Sequence, residues 1–95
     1  MACCYIIYSK HADRYYIGSC EDFESRLFHH NTGVYGGKAY TYFTNDWALF
    51  LKIETNTISH ARRIELKIKK MKSRVYLLNL KKYPELVEKI KGEHI

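Results

Sequence analysis

The sequence predicts a small α/β domain of the α+β type, a three-stranded, mostly antiparallel sheet flanked by helices, as one domain over residues 1–95. Three observations predict it. Cys3-Cys4-Tyr5-Ile6-Ile7-Tyr8 is an unbroken run of strand formers, and Tyr15-Tyr16-Ile17-Gly18 follows after a short polar loop. A helical period of apolar residues then runs from Thr57 to about Lys72. The 95 residues are 46% hydrophobic and 15% aromatic, enough for one modest core and too apolar for a disordered chain.

The first run has no polar alternation, so it reads as a strand buried on both faces. Lys10 to Asp13 make a hairpin loop, and Tyr15 to Gly18 return antiparallel. Cys20-Glu21-Asp22 is a helix-start signal, and a helix over 22–31 stops near Asn31-Thr32-Gly33. Residues 32–46 hold three glycines among Lys38, Tyr40, Tyr42 and Phe43. They read as a connector, or as a loop that stacks tyrosines on, or brings Lys38 to, a nucleic acid strand. Trp47 to Ile53 supply the third strand, and Thr55-Asn56-Thr57 offer caps for the long helix. Its apolar arc holds Ala61, Ile64, Ile68 and Met71. Ser73-Arg74 interrupts the pattern before a helical stretch over Val75–Leu80, and Pro84 is placed to open a last helix over Glu85–Lys91.

The net charge of +6 points to a polyanion, either nucleic acid or an acidic membrane surface. No run is long enough to span a bilayer, and Met1 leads into a strand-like segment, so the expected location is cytoplasmic. Three cysteines, Cys3, Cys4 and Cys20, lack the spacing of a zinc site or a disulfide framework and read as buried small hydrophobes. A reactive Cys20 near a helix N-terminus is the weaker reading.

On the first helix, Phe23, Arg26, Leu27 and His30 share one arc at about 100° per residue. Phe23 and Leu27 must turn inward, so Arg26 and His30 are expected against the sheet, where they and a tyrosine form an anion-handling pocket. On the long helix Glu65 lies within the arc of Ala61, Ile64 and Ile68. An inward carboxylate must be paired, protonated or bound to a cation. One reading is a structural ion pair with Arg26. The other is a hard divalent cation held through oxygen, with water and substrate phosphate completing its coordination. Across the helix Arg63, Lys67, Lys70 and Arg74 form a basic stripe, and almost no acidic residue interrupts positions 62–82. A phosphate-contacting surface is the better reading of it than a solvated face. His11, His29, His60 and His94 read as surface residues.

In order, these residues resemble the GIY-YIG nuclease domain over nearly the whole chain. Tyr5 matches the tyrosine of the first half-motif, and Tyr16-Ile17-Gly18 reproduces the second. Arg26 falls at the spacing of the family's arginine. His30-Asn31 is similar to the small single-domain bacterial branch, whose helix glutamate matches Glu65. Cys3-Cys4 stand where Gly-Ile would, and Ser19 stands where the excision-repair relatives carry lysine.

The resemblance implies metal-dependent hydrolysis of DNA phosphodiesters, with DNA as partner, no membrane, and Mg2+ or Mn2+ as cofactor. Glu65 would hold the ion, Arg26 would clamp the phosphate, and Tyr16 would take the proton of the attacking water. A free phenol, with a pKa of about 10, is a poor base at neutral pH. His30 is therefore the competing base, while Tyr5 orients or relays. The family's usual DNA-targeting domain has no counterpart here, so a protein partner or targeting subunit stays open. Two other functions also stay open: a nucleic-acid-binding module without turnover, and a protein-interaction domain.

Overall fold

The apolar run at the start of the chain becomes the central strand of a sheet, because only a central position covers apolar side chains on both faces. The computed structural model describes residues 2–32 and 46–92. Within them lie β1 (Ala2–Ser9), β2 (Arg14–Cys20), α1 (Phe23–Thr32), β3 (Ala48–Thr55), α2 (Ile58–Met71), α3 (Arg74–Lys82) and α4 (Pro84–Gly92). The strands form one antiparallel sheet in the order β2-β1-β3, which leaves β2 and β3 as edges.

Alternation along β1 divides the core in two. Ala2, Cys4 and Ile6 join Ile53, Ala61, Ile64, Ile68, Leu77, Leu80 and Ile90 beneath α2, α3 and α4. Cys3, Tyr5 and Ile7 face the other way, with Cys20, Phe23 and Trp47. The three cysteines are free and buried. Burial is the main cause that pushes the Cys3 thiol up to about 12 and raises Cys4 and Cys20 as well. Cys20 is therefore a packing residue rather than a reactive one.

β2 is longer than the sequence suggests, because Ser19 and Cys20 pair with Cys4 and Cys3. Between β1 and β3 the register shifts at Ile6/Ile7, whose partners are Leu51 and Leu49, so Phe50 is the extra residue of a bulge. The hairpin closes through Asp13 in the left-handed region at φ 53°. An aspartate tolerates that conformation better than most residues.

Caps set the helix limits. Asp22 Oδ1 accepts from Ser25 N–H at 3.2 Å at the start of α1. Of the three candidate caps for α2, Thr57 is the one used, accepting from His60 N–H. α2 ends at left-handed Lys72, and Ser73 caps α3. Met71 consequently is the last residue of α2 and is 48% exposed, not part of the apolar arc expected of it. Pro84 opens α4, where its missing N–H leaves nothing unpaired. Among the described residues no helix is long and apolar enough to cross a membrane.

Candidate active site

Tyr5 and Gly18 face each other across β1 and β2. Tyr5 is 1% exposed, and its phenol shares a hydrogen bond of 2.9 Å with His30 Nε2. A methyl group on Gly18 would lie 2.5 Å from the Tyr5 hydroxyl, so the ring can occupy this place only because the opposite residue has no side chain. Tyr16, half-buried on the same face, has its ring centroid 5.0 Å from that of His30 and 6.4 Å from that of Tyr5.

His30 is 4% exposed. Burial first, then the positive charges of Arg26 and His29, together lower its pKa to about 4. The imidazole is therefore neutral at neutral pH among Tyr5 from β1, Tyr16 from β2, and Arg26 and His29 from α1. The unfolded chain takes up this proton near pH 6.5, whereas the folded chain does so only near 4, so stability is expected to fall as pH drops through that window. The loss is on the order of 2 kcal/mol. Urea melts of wild type and His30→Asn between pH 7 and 4 measure it: the wild-type curve should be the steeper, and equal slopes would remove the assignment.

Arg26 does not lie against the sheet as the helical arc suggests. Phe23 and His30 take the inward positions, while Arg26 is exposed at the edge of the arc. It remains close enough for its charge to act on both His30 and Cys20.

Glu65 approaches from the other face of β2. Its side chain is 17% exposed, and both carboxylate oxygens are engaged. Ser19 Oγ donates to Oε1 at 2.6 Å, and Lys69 Nζ donates to Oε2 at 2.6 Å. The ion pair that is one of the two readings of Glu65 is made with Lys69, one turn along the same helix, rather than with Arg26. Tyr16 and Ser19 are three positions apart in the strand, an odd spacing, so the two point to opposite sides of the sheet. Because β2 is an edge, the two sides can meet around it, and Lys69 spans the gap: its ammonium also lies 5.9 Å from the Tyr16 ring centroid. The contacts run without a break from Tyr5 through His30, Tyr16 and Lys69 to Glu65 and Ser19.

Among the described residues no three His, Cys, Asp or Glu side chains gather as metal ligands. Glu65 offers carboxylate oxygens, oriented by the Ser19 hydroxyl. They fit a magnesium-like ion that keeps several waters and takes its remaining ligands from a phosphate.

Along α2, Arg63, Lys67, Lys69, Lys70 and Lys72 surround exposed Leu66 in a groove of about 530 Å³, which shares Lys69 with the site. Arg74 does not continue this stripe. α2 stops at Met71, and Arg74 opens α3, where its guanidinium binds the Asp13 carboxylate at 3.2 Å and backbone carbonyl at 2.7 Å. It also covers the Tyr15 ring at 5.2 Å, so its contacts here tie the hairpin to α3. Lys38 and the neighbouring Tyr40, Tyr42 and Phe43 lie outside the described residues.

Sequence reasoning misses three supports. Ser19, which the sequence marks only as standing where the excision-repair relatives carry lysine, holds the carboxylate. Lys69, outside the stripe of Arg63, Lys67, Lys70 and Arg74, stands one helical turn from Glu65, a spacing that signals an ion pair. Asn31 reads both polar groups of one residue: its Oδ1 accepts from Trp47 N–H at 2.7 Å and its Nδ2 donates to Trp47 O at 2.9 Å. That pins the end of α1, with His30 on it, to the approach of β3.

The family model of the GIY-YIG catalytic domain matches residues 1–82. No curated protein and no solved structure matches the chain. The match takes in the hairpin with its two tyrosines, α1 with Arg26 and His30, and α2 with Glu65, and on that ground the chain belongs to the GIY-YIG catalytic-domain family, a family of nucleases.

Proposed function

We propose that this protein is a divalent-metal-dependent endonuclease that hydrolyses DNA phosphodiesters at the edge of β2. The observation that carries the reading is the unbroken contact chain from the two phenols to a single engaged carboxylate, with Lys69 shared between it and the α2 groove. A pure binding surface gains nothing from a carboxylate beside bound phosphate, which that charge would repel.

Glu65 is the residue that would hold Mg2+ or Mn2+, and Ser19 fixes the carboxylate in place. When bound, the ion neutralises charge on the scissile phosphate and on the leaving oxygen. Arg26, exposed at the rim, would contact the non-bridging oxygens and offset the charge that grows as water attacks phosphorus. Tyr16, as the phenolate, would take the proton of that water, its own proton having first passed to solvent. With a pKa of about 4, His30 holds a proton poorly at neutral pH, which favours Tyr16 over His30 as base. His30 and Tyr5 instead lock one another, and the imidazole ring beside Tyr16 fixes that phenol's position.

The test is a panel of labelled duplex, nicked, flapped, branched and single-stranded DNAs, incubated with Mg2+, Mn2+ or chelator. Cleavage by the wild type only with metal is expected. Salt-sensitive binding without product on every structure would return the chain to the class of binding modules. Absence of binding altogether would leave a protein-interaction domain.

The α2 groove makes its own prediction. Lys67→Glu with Lys70→Glu should weaken DNA binding about tenfold or more for every sequence and flatten the salt dependence by roughly two units of slope. Arg74→Ala should instead lower the melting temperature and leave affinity nearly unchanged. Fluorescence anisotropy across a salt series reads both. Unaltered affinity in the double variant would make the stripe mere solvated surface.

A further inference from the structure

We propose that Lys69 is the resident counter-ion of Glu65, occupying in the metal-free protein the place that the divalent cation takes in the loaded one. The inference rests on Glu65 as the metal ligand. It adds a competitor within the chain that sets how much cation the site needs.

The two contacts of the carboxylate differ in kind. Ser19 is fixed on a strand, and its hydroxyl donates to Oε1 through a one-carbon side chain. Such a contact orients the group and need not leave when an ion arrives. Lys69 reaches Oε2 with a four-carbon stem from the exposed side of α2, its side chain 46% exposed against 17% for Glu65. Ammonium and divalent cation cannot both have that oxygen at contact distance without strong repulsion. The flexible, solvated partner is the one to move. Its position makes displacement useful, because the ammonium already lies over Tyr16 and beside the α2 groove. A lysine released from Glu65 stays on the phosphate side of the site as a donor. The same residue keeps the lone carboxylate neutralised before substrate arrives, so the empty site does not repel DNA.

An exposed pair at this spacing contributes little, so the competition should change cation affinity by about two- to fivefold. Mn2+ binding without DNA, followed by water-proton relaxation at pH 7 and fixed ionic strength, measures it for wild type, Lys69→Met, Lys69→Arg, Lys70→Met and Glu65→Gln. Lys69→Met should bind Mn2+ about two- to fivefold more tightly than wild type. Lys69→Arg should stay close to wild type, and Glu65→Gln should lose the site. Lys70→Met removes the same unit of charge one residue away and should have a much smaller effect. Equal tightening in Lys70→Met would show net charge, not the contact, at work and would overturn the proposal. So would wild-type affinity in Lys69→Met while Glu65→Gln still loses binding, a result that leaves Glu65 as ligand intact. If Glu65→Gln binds Mn2+ as wild type does, the metal assignment itself fails and the role of Lys69 fails with it.

Discussion

Glu65→Ala and Arg26→Ala should each abolish DNA cleavage in single-turnover assays while leaving the fold intact. For Glu65 the loss is expected at about 10³-fold or more, because an ion with no protein ligand no longer stabilises the leaving oxygen. The structural consequence is small. Lys69 returns to water, which it already half occupies, and Ser19 keeps its strand pairing. DNA binding without metal should be unchanged or tighter, since a negative charge beside the phosphate is gone. For Arg26 the loss should be roughly 10²–10³-fold, the effect of removing one preorganised donor from a developing anion. Arg26→Ala carries a second signature: without the guanidinium nearby, the His30 pKa should move up from about 4. Imidazole NMR titration reads that shift independently of activity. Nicking at the wild-type rate by either variant would remove that residue from the site.

What could be read along the chain was whatever one segment decides for itself. β1 is legible as doubly buried because its apolar run has no alternation, and α2 because its cap and its period agree. Glu65 and His30 are legible for the same reason: the phase of a single helix is enough to turn them inward. Arg26 lies on the border of its arc, and phase alone does not say whether a long side chain there lies inward or reaches solvent. Arg74 fails differently. Counting it into a stripe assumes one helix across residue 72, whereas the left-handed Lys72 and the Ser73 cap start a new helix whose phase is independent.

What could not be read depends on two segments meeting. Along the chain the second strand ends at Gly18, and only the pairing of Ser19 and Cys20 with Cys4 and Cys3 extends it and aims Ser19 at α2. The partner of Glu65 was sought at long range, in Arg26, when a local cation at i+4 was available and closer. Asn31 reads along the chain as a helix end and as the neighbour of His30 in the family resemblance, and its contacts with Trp47 exist only once β3 is in place. The chemistry-bearing residues were thus visible while their supports were not, since a support is defined by what it touches.

Gly18→Ala should be among the most damaging single substitutions outside the proposed chemistry, and its sign is what makes it informative. In a strand, alanine in place of glycine ordinarily stabilises, by reducing the freedom of the unfolded chain. Here the new methyl would meet the Tyr5 hydroxyl at 2.5 Å, Tyr5 Cζ at 2.6 Å and the Tyr16 ring at 3.1 Å. Tyr5 has little room to retreat, being 1% exposed and packed against Phe23 at 5.4 Å between ring centroids. The ring must leave its rotamer or β2 must move away from β1, and either change breaks the hydrogen bond to His30. Overpacking of this kind costs about 1–3 kcal/mol, which in a domain of this size lowers the melting temperature by roughly 5–20 °C. Cleavage should fall further than stability accounts for, because Tyr16 and His30 lose the group that positions them. A double-mutant cycle isolates the cause: in a Tyr5→Ala background, where the ring is gone, the same Gly18→Ala change should cost far less. Equal costs in the two backgrounds, or a wild-type melting temperature for the single variant, would mean that the glycine is not there to admit the tyrosine.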